Sequence, residues 1–394
     1  MSQRSENLEQ FAIDVILERR RGFRAALLRG LLYALSFIYE RLVQLRLFLY
    51  RHRIFREHTL GCLVISIGNL TVGGTGKTPI VEKFARALRA GGRRVAILSR
   101  GYKSVPRPAP RKGFFSKKEP QPPRVVSDGK SLLLDSRTAG DEPYMLANNL
   151  KDVVVLVDKD RVKSGLYAIK ELKADTLLLD DGLQYLHLKH RLDIVLIDRQ
   201  APFGNEHLLP RGTLREPPRN LRRASYIFIT KSTGEPNDEL IKRIRRYNRT
   251  AEIIECAHKP LHLQNVLTAE QIPLERLRDT YVGSICGIAA PESFEDGLHK
   301  LGARIELSKR YTDHHRYTDA ELQSFVTRCV RRDLEMIVTT EKDAVRFPRL
   351  TKTDVPIYFL RVEIEILSGH ESWEHCVARI CKPQPLLSPA RFFA

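Results

Sequence analysis

Apolar residues near the N-terminus recur with the period of an α-helix. Seven of them lie three or four positions apart: Leu27, Leu31, Leu35, Ile38, Leu42, Leu45 and Leu49. At about 100° per residue they form one stripe about 80° wide, which predicts an amphipathic helix. Within this N-terminal segment the longest run without a charge, 30–39, is half of the roughly 20 residues that a membrane-spanning helix needs. The protein is therefore expected to be soluble or peripheral to a membrane.

Downstream of this helix, short apolar runs alternate with helical patterns. Strands are predicted at 60–69, 94–98, 153–157, 176–179, 193–197 and 226–229. Helices are predicted between them at 79–89, 142–150 and 164–172. Alternation at this spacing is typical of βαβ units, so we expect an α/β fold with a parallel sheet covered by helices on both faces.

The pattern divides the chain into three parts. Residues 1–57 form the N-terminal basic amphipathic segment, 58–250 the α/β core, and 251–394 a smaller C-terminal α/β domain. A polar, basic stretch before residue 250 favours a boundary there. Within the core, 105–124 contains six prolines and six lysines or arginines, which predicts a loop insertion.

Charge narrows the class of partner. The 66 lysines and arginines exceed the 47 acidic residues, giving a net charge of +19, which favours nucleotide, nucleic acid or acidic lipid as partner. Ten arginines and one acid lie within 19–56, beside the leucine stripe. Such a helix can lie in an anionic membrane interface, or it can pack on its own domain with solvated arginines. The six cysteines form no CxxC pair, which argues against a zinc site or a disulfide framework.

A phosphate-binding loop is the strongest chemical motif. It comprises Thr71, Val72, Gly73, Gly74, Thr75, Gly76, Lys77 and Thr78, between a predicted strand and a predicted helix. In a P-loop, backbone N–H groups bind phosphate oxygens, the lysine neutralises β- and γ-phosphate charge, and the hydroxyl after it ligates Mg²⁺. The general pattern has glycine where this chain has Thr71, so Gly73 and Gly74 are expected to supply the flexibility. The loop therefore predicts a nucleotide with β- and γ-phosphates, together with Mg²⁺, as cofactors.

Three further motifs carry candidate chemistry. The apolar strand 176–179 ends in Asp180 and Asp181, which is where a P-loop protein places the carboxylate that organises Mg²⁺. Asp141 precedes a predicted helix and on its own would be an ordinary N-cap. His314 and His315 lie in a predicted loop, where a histidine pair is more often a surface feature.

Together these motifs resemble the tetraacyldisaccharide 4′-kinases of lipid A biosynthesis. The blocks that carry the resemblance occur in the family's order: 66–79, 98–103, 139–143, 179–184, 214–217, 313–317 and 339–343. Two features depart from the family: Arg211, where the family loop usually has alanine, and the proline-rich stretch 105–124.

The resemblance implies a specific reaction and specific roles. The family transfers the γ-phosphoryl group of ATP to the 4′-hydroxyl of an acylated glucosamine disaccharide 1-phosphate, at the cytoplasmic face of the inner membrane. A P-loop kinase fold, a peripheral location and an anionic membrane lipid partner follow from it. Its catalytic residues correspond to Asp141, His314 and Lys77. Its metal and nucleotide organisation corresponds to Thr78, Asp180, Asp181, Arg215 and Glu216.

Two other classes of function remain open on the sequence. A GTPase is suggested by Thr230-Lys231-Ser232, but Thr233 stands where the guanine-specific motif has aspartate. The net charge suggests a P-loop ATPase that binds nucleic acid. However, no stacking-aromatic motif interleaves with the basic runs, so no nucleic acid partner is expected.

Overall fold

The structure is a computed structural model that describes residues 3–102, 104–106 and 121–382. Most of the predicted insertion 105–124 therefore lies outside the described residues. The helices are α1 Gln3–Ile16, α2 Phe23–Arg51, α3 Lys77–Ala90, α4 Ser136–Ala139, α5 Asp141–Asn149, α6 Arg161–Lys170, α7 Asp238–Arg245, α8 Pro291–Lys300, α9 Asp319–Val330, α10 Glu341–Ala344 and α11 His370–Cys381. Short 3₁₀ helices occupy Pro218–Arg223 and Leu274–Leu277.

The strands of the described chain form one sheet. They are β1 Leu63–Asn69, β2 Val95–Ser99, β3 Arg124–Asp128, β4 Val154–Val157, β5 Thr176–Asp180, β6 Leu192–Asp198, β7 Tyr226–Thr230, β8 Glu252–Asn265, β9 Gln271–Ile272, β10 Tyr281–Cys286, β11 Arg304–Arg310, β12 Met336–Thr340 and β13 Ile357–Ser368. Their order is β11-β10-β12-β13-β8-β7-β6-β1-β5-β2-β4-β3, with β9 beside β8. The parallel α/β class that we expected is confirmed, with antiparallel pairs at β3–β4, β8–β13 and β8–β9.

Strand β8 joins the two halves of the sheet. Its first residues pair in parallel with β7, and the rest of the strand pairs antiparallel with β13. Strand β13 in turn pairs in parallel with β12. The predicted boundary at residue 250 thus falls next to a strand that belongs to the sheet of both halves, and the division into domains stays a prediction.

The core explains why β1 is a rigid base for the loop that follows it. All of its residues are buried, with Ile65 and Ile67 packing toward α3 and Val64 packing on the opposite face. Phe84 of α3 is fully buried between the sheet and Trp373 of α11. A strand that is apolar on both sides has to be covered on both faces, as the pattern of the sequence predicted.

Helix α2 confirms the predicted N-terminal helix, and all of its apolar stripe except Leu49 is solvent-exposed. Leu31 is 57% exposed, Ile38 55% and Leu42 59%. In the part of the chain that the structure describes, no helix combines the length and apolar character that a membrane crossing requires. Helix α2 therefore presents an apolar face that no other described residue of the chain covers.

Candidate active site

The P-loop connects the buried end of β1 to the first residue of α3. Gly73 and Gly76 have φ values of +119° and +77°, a region that side chains disfavour. A Cβ atom at Gly76 would also lie 3.1 Å from Nε2 of His258. Thr71, in the place of the usual glycine, is buried, and its backbone O accepts a hydrogen bond from the Asn69 side chain at 2.9 Å. The loop thus forms without glycine at that position.

Lys77 lies over the loop with its amine close to acceptors. Its Nζ is 3.3 Å from Oδ1 of Asn69 and 3.8 Å from Oδ1 of Asp181. Thr78, the next residue, is buried in the first turn of α3. Lys77 and the carboxylate that follows β5 therefore lie close together, with Thr78 next to Lys77 in the chain. That these residues form a phosphate and metal site stays a prediction.

Asp180 and Asp181 have different environments. Oδ2 of Asp180 accepts a hydrogen bond from Ser99 at 3.0 Å, whereas its buried Oδ1 has no hydrogen-bond partner among the described residues. Burial, together with the charges of Glu142 and Asp181, raises the pKa of Asp180 to about 6. Burial would raise the pKa of Asp181 too, but hydrogen bonds from Arg215 and the charge of Lys77 lower it overall. The free oxygen of Asp180 is suited to a cation or its water shell.

Glu216 supports the loop that carries Arg215. Its Oε1 accepts a hydrogen bond from Gln184 at 3.0 Å, and its Oε2 accepts from Asn220 at 2.8 Å and from Arg223 at 2.6 Å. Since both oxygens already have protein donors, this carboxylate is less available to a metal than Asp180. Its place among the metal ligands stays a prediction.

Among the described residues, no group of three or more His, Cys, Asp or Glu could hold a metal ion by itself. Mg²⁺ in a nucleotide site usually takes only one or two protein ligands, together with phosphates and water. Thr78 and the free oxygen of Asp180 fit that smaller requirement.

Asp141 and His314 meet across the two halves of the sheet. Nδ1 of His314 lies 3.3 Å from Oδ2 of Asp141. The N-cap of α5 is Gly140, and Asp141 is the first helical residue, so the simple cap role is wrong. His314 has a left-handed backbone with φ of +65°, which is strained for a residue other than glycine. The Tyr102 ring packs edge-on to it at 5.5 Å.

Two arginines complete the surroundings of Asp141. Arg346 donates from Nε to Oδ2 at 2.8 Å, and Arg316 donates from Nη2 to Oδ1 at 2.8 Å. Burial would raise the pKa of Asp141, but the hydrogen bond from His314 and the two arginine charges outweigh it and lower the pKa below its usual value. Asp141 is therefore a carboxylate at neutral pH.

The second histidine of the pair has a different role. Nε2 of His315 lies 3.2 Å from Oε2 of Glu321, and its ring stacks on Tyr311 at 4.3 Å. Of the two histidines, only His314 reaches Asp141, which agrees with the position that the family resemblance selected.

Glu142, the residue after Asp141, forms an ion pair with Lys342 at 2.7 Å. Burial would raise the pKa of Glu142, but the charge and hydrogen bond of Lys342 lower it overall, with smaller contributions from the charges of Lys77 and His314. Sequence reasoning assigned roles to neither Glu142 nor Arg346. The signal for Glu142 and Lys342 was present, because both lie in blocks that carry the family resemblance.

Arg211 explains one departure from the family pattern. Its buried guanidinium pairs with Glu18 and donates to the backbone O of Ile16 at 3.3 Å. In this chain the arginine therefore anchors the turn between α1 and α2 to the loop before Arg215.

A glycine-rich loop between β1 and α3, with a lysine, a hydroxyl and strand-end carboxylates around it, defines a P-loop phosphotransferase. The LpxK family model, described as tetraacyldisaccharide-1-P 4′-kinase, matches residues 28–382, and the chain belongs to this family.

Named relatives agree over nearly the full length. A tetraacyldisaccharide 4′-kinase of Syntrophus aciditrophicus is 38% identical over 89% of this chain and 93% of that protein. One of Halothermothrix orenii is 33% identical over 92% of this chain and 95% of that protein. The crystal structure of Aquifex aeolicus LpxK in complex with ATP superposes with a TM-score of 0.69 at 28% identity, covering 90% of this chain and 99% of that one.

Proposed function

We propose that this protein transfers the γ-phosphoryl group of ATP to the 4′-hydroxyl of a tetraacyldisaccharide 1-phosphate, forming lipid IVA in lipid A biosynthesis. The observations that carry the proposal are the Asp141–His314 pair, 3.3 Å apart, and the P-loop lysine whose amine lies 3.8 Å from Asp181. The family membership and the ATP complex of the A. aeolicus relative support the same reaction. A P-loop ATPase or GTPase acting at a membrane or on nucleic acid is not favoured.

The chemistry follows from the positions of the charged groups. The 4′-oxygen forms a bond to the γ-phosphorus while the bond from that phosphorus to the β-bridging oxygen breaks. Asp141 orients the hydroxyl and accepts its proton, and His314 and Arg346 hold the carboxylate in place. Lys77 neutralises charge that develops on the phosphates. Mg²⁺ would supply further charge neutralisation at the phosphate oxygens, and Thr78 and Asp180 are the residues that would hold it.

Transfer of labelled γ-phosphate is the direct test. We expect label from ATP to appear on a tetraacyldisaccharide 1-phosphate in detergent micelles and to require Mg²⁺. The matched control is the same lipid already phosphorylated at the 4′-position, which should accept no label. Release of inorganic phosphate without labelled lipid, or equal use of GTP, would contradict the assignment.

The exposed face of α2 gives this enzyme a route to its acylated substrate. We propose that α2 lies on the cytoplasmic face of the inner membrane, with its leucines at the acyl boundary and its arginines on lipid phosphates. The exposure of the stripe and ten arginines against one acid within 19–56 support an anionic bilayer as the surface that covers it.

Replacing Leu31, Leu35 and Ile38 together by serine should weaken binding to anionic vesicles while leaving ATP binding intact. Removing three exposed apolar side chains from the stripe lowers the apolar area available to lipid. Sedimentation with phosphatidylglycerol vesicles measures the effect. The control replaces Leu166, Leu261 and Leu267, which are exposed leucines outside α2. Unchanged binding of the first variant would show that α2 is a packing element only.

A further inference from the structure

One side of α2 is polar and binds the loop that carries Arg215. The hydroxyl of Ser36 is 2.9 Å from the backbone O of Leu208 and accepts from the backbone N–H of Arg211 at 3.0 Å. The hydroxyl of Tyr39 donates to the backbone O of Arg215 at 3.0 Å. The apolar stripe and these polar contacts thus belong to one helix.

The same loop is hydrogen-bonded to the P-loop backbone. Arg215 N–H donates to Leu70 O at 2.7 Å, and Val72 N–H donates to Thr213 O at 2.7 Å. These bonds form an isolated antiparallel bridge between the two loops at Thr71. The loop conformation therefore fixes the backbone that would hold the phosphates.

The Arg215 side chain extends the connection to the carboxylates. Nη1 and Nη2 donate to the two oxygens of Asp181 at 2.8 and 2.9 Å, and Nη2 also donates to Asn69 O at 3.0 Å. A paired, two-point contact of this kind orients a carboxylate strictly. A shift of the Arg215 backbone would move both Asp181 and the P-loop.

We propose that Tyr39 is a positioning residue for phosphoryl transfer, acting through the Arg215 backbone on Asp181 and the P-loop. The proposal rests on the proposed kinase function and extends it. It places Tyr39, on the helix proposed to face the membrane, in hydrogen-bond contact with Arg215, whose side chain in turn holds Asp181. The packing of α2 on the loop that carries Arg215 then helps to order the site that would bind ATP.

The variant Tyr39→Phe removes only the hydroxyl. We expect kcat/KM for ATP to fall about three- to tenfold, the effect of losing one hydrogen bond that orders the site. The dissociation constant for ATP, measured by titration without acceptor, should rise as well, because ATP then binds more weakly. Vesicle binding should not change. The matched control is Tyr33→Phe on the same helix, since Tyr33 is 63% exposed.

A double-mutant cycle with Arg215→Lys separates positioning from general stability. If Tyr39 acts through Arg215, adding Tyr39→Phe to Arg215→Lys should cost much less than it costs alone. Three results would each overturn the proposal. They are an equal loss of kcat/KM in both backgrounds, an unchanged ATP dissociation constant per folded molecule, and recovery of the full rate of Tyr39→Phe at saturating lipid. The ATP titration needs no acceptor, so it tests the role of Tyr39 even if the tetraacyldisaccharide proves not to be the substrate. A failure of the Tyr39 proposal can therefore be told apart from a failure of the proposed kinase function.

Discussion

Replacing Lys77 by alanine is expected to lower phosphoryl transfer by about 10²–10³-fold without unfolding the protein. The Lys77 amine is placed between Asn69 and Asp181, so its removal takes a positive charge away from the position of the β- and γ-phosphates. Asp181 keeps its two hydrogen bonds from Arg215, so the loop has other supports. Turnover and thermal unfolding, measured on the same preparation, check both statements.

Lys83 provides the matched control for this variant. It lies on the same helix, α3, but its amine is directed over the Trp373 ring at 5.6 Å rather than toward the P-loop. Lys83→Ala should therefore keep near-normal turnover. If Lys77→Ala also turned over at a near-normal rate, the assignment of a phosphate site to residues 71–78 would be wrong.

The parts of the fold that sequence predicted are those governed by short-range pattern. Strands β1, β5, β6 and β7 are continuous apolar runs because both their faces are covered, and such runs are visible in the sequence alone. The P-loop was predictable because its neighbours along the chain, a strand and a helix, supply its context.

Strand β8 was missed for a physical reason. Strand β8 is partly exposed along most of its length and contains His258, Pro260 and His262, so it has no apolar run. Its stability comes from pairing with a strand about a hundred residues later, which no local window contains. Helix α7 was likewise read as a polar boundary, because only one of its residues, Ile244, is buried.

The site residues divide in the same way, into those that local motifs predict and those that are brought together by contacts between distant parts of the chain. Lys77, Asp180 and Asp181 could be assigned from motifs whose spacing has a mechanical meaning. The pairing of Asp141 with His314 came from family resemblance, since the two are 173 positions apart in the chain. Arg346 reaches Asp141 from 205 positions away and belongs to none of the quoted motifs, so only the folded structure places its charge on that carboxylate.

The surroundings of Asp141 define how it can work as a base. Its lowered pKa keeps it ionised, so its protonation cannot limit turnover between about pH 5 and 8. A carboxylate of low basicity accepts a proton only once the attacking oxygen has begun to bond to phosphorus and has become acidic. Its orientation by His314 and Arg346 therefore matters as much as its charge.

Changes at Asp141 and His314 are expected to act as changes to one unit. Asp141→Asn preserves shape but removes the charge and the basicity, so turnover should fall about 10²–10⁴-fold with little effect on ATP affinity. His314→Ala should produce a similar loss, because the carboxylate then loses a partner that orients it. The double variant should be scarcely worse than the poorer single variant.

His315→Ala is the control, since its ring contacts Glu321 and Tyr311 rather than Asp141. Asp141→Asn also leaves the buried Arg346 without its full counter-charge, so stability will fall and turnover has to be expressed per folded molecule. His314→Ala leaves that ion pair intact and so tests catalysis with less disturbance of the fold. Losses that multiply in the double variant would mean that the two residues work separately, and nearly intact turnover in Asp141→Asn would reduce the carboxylate to a structural anchor for the two arginines.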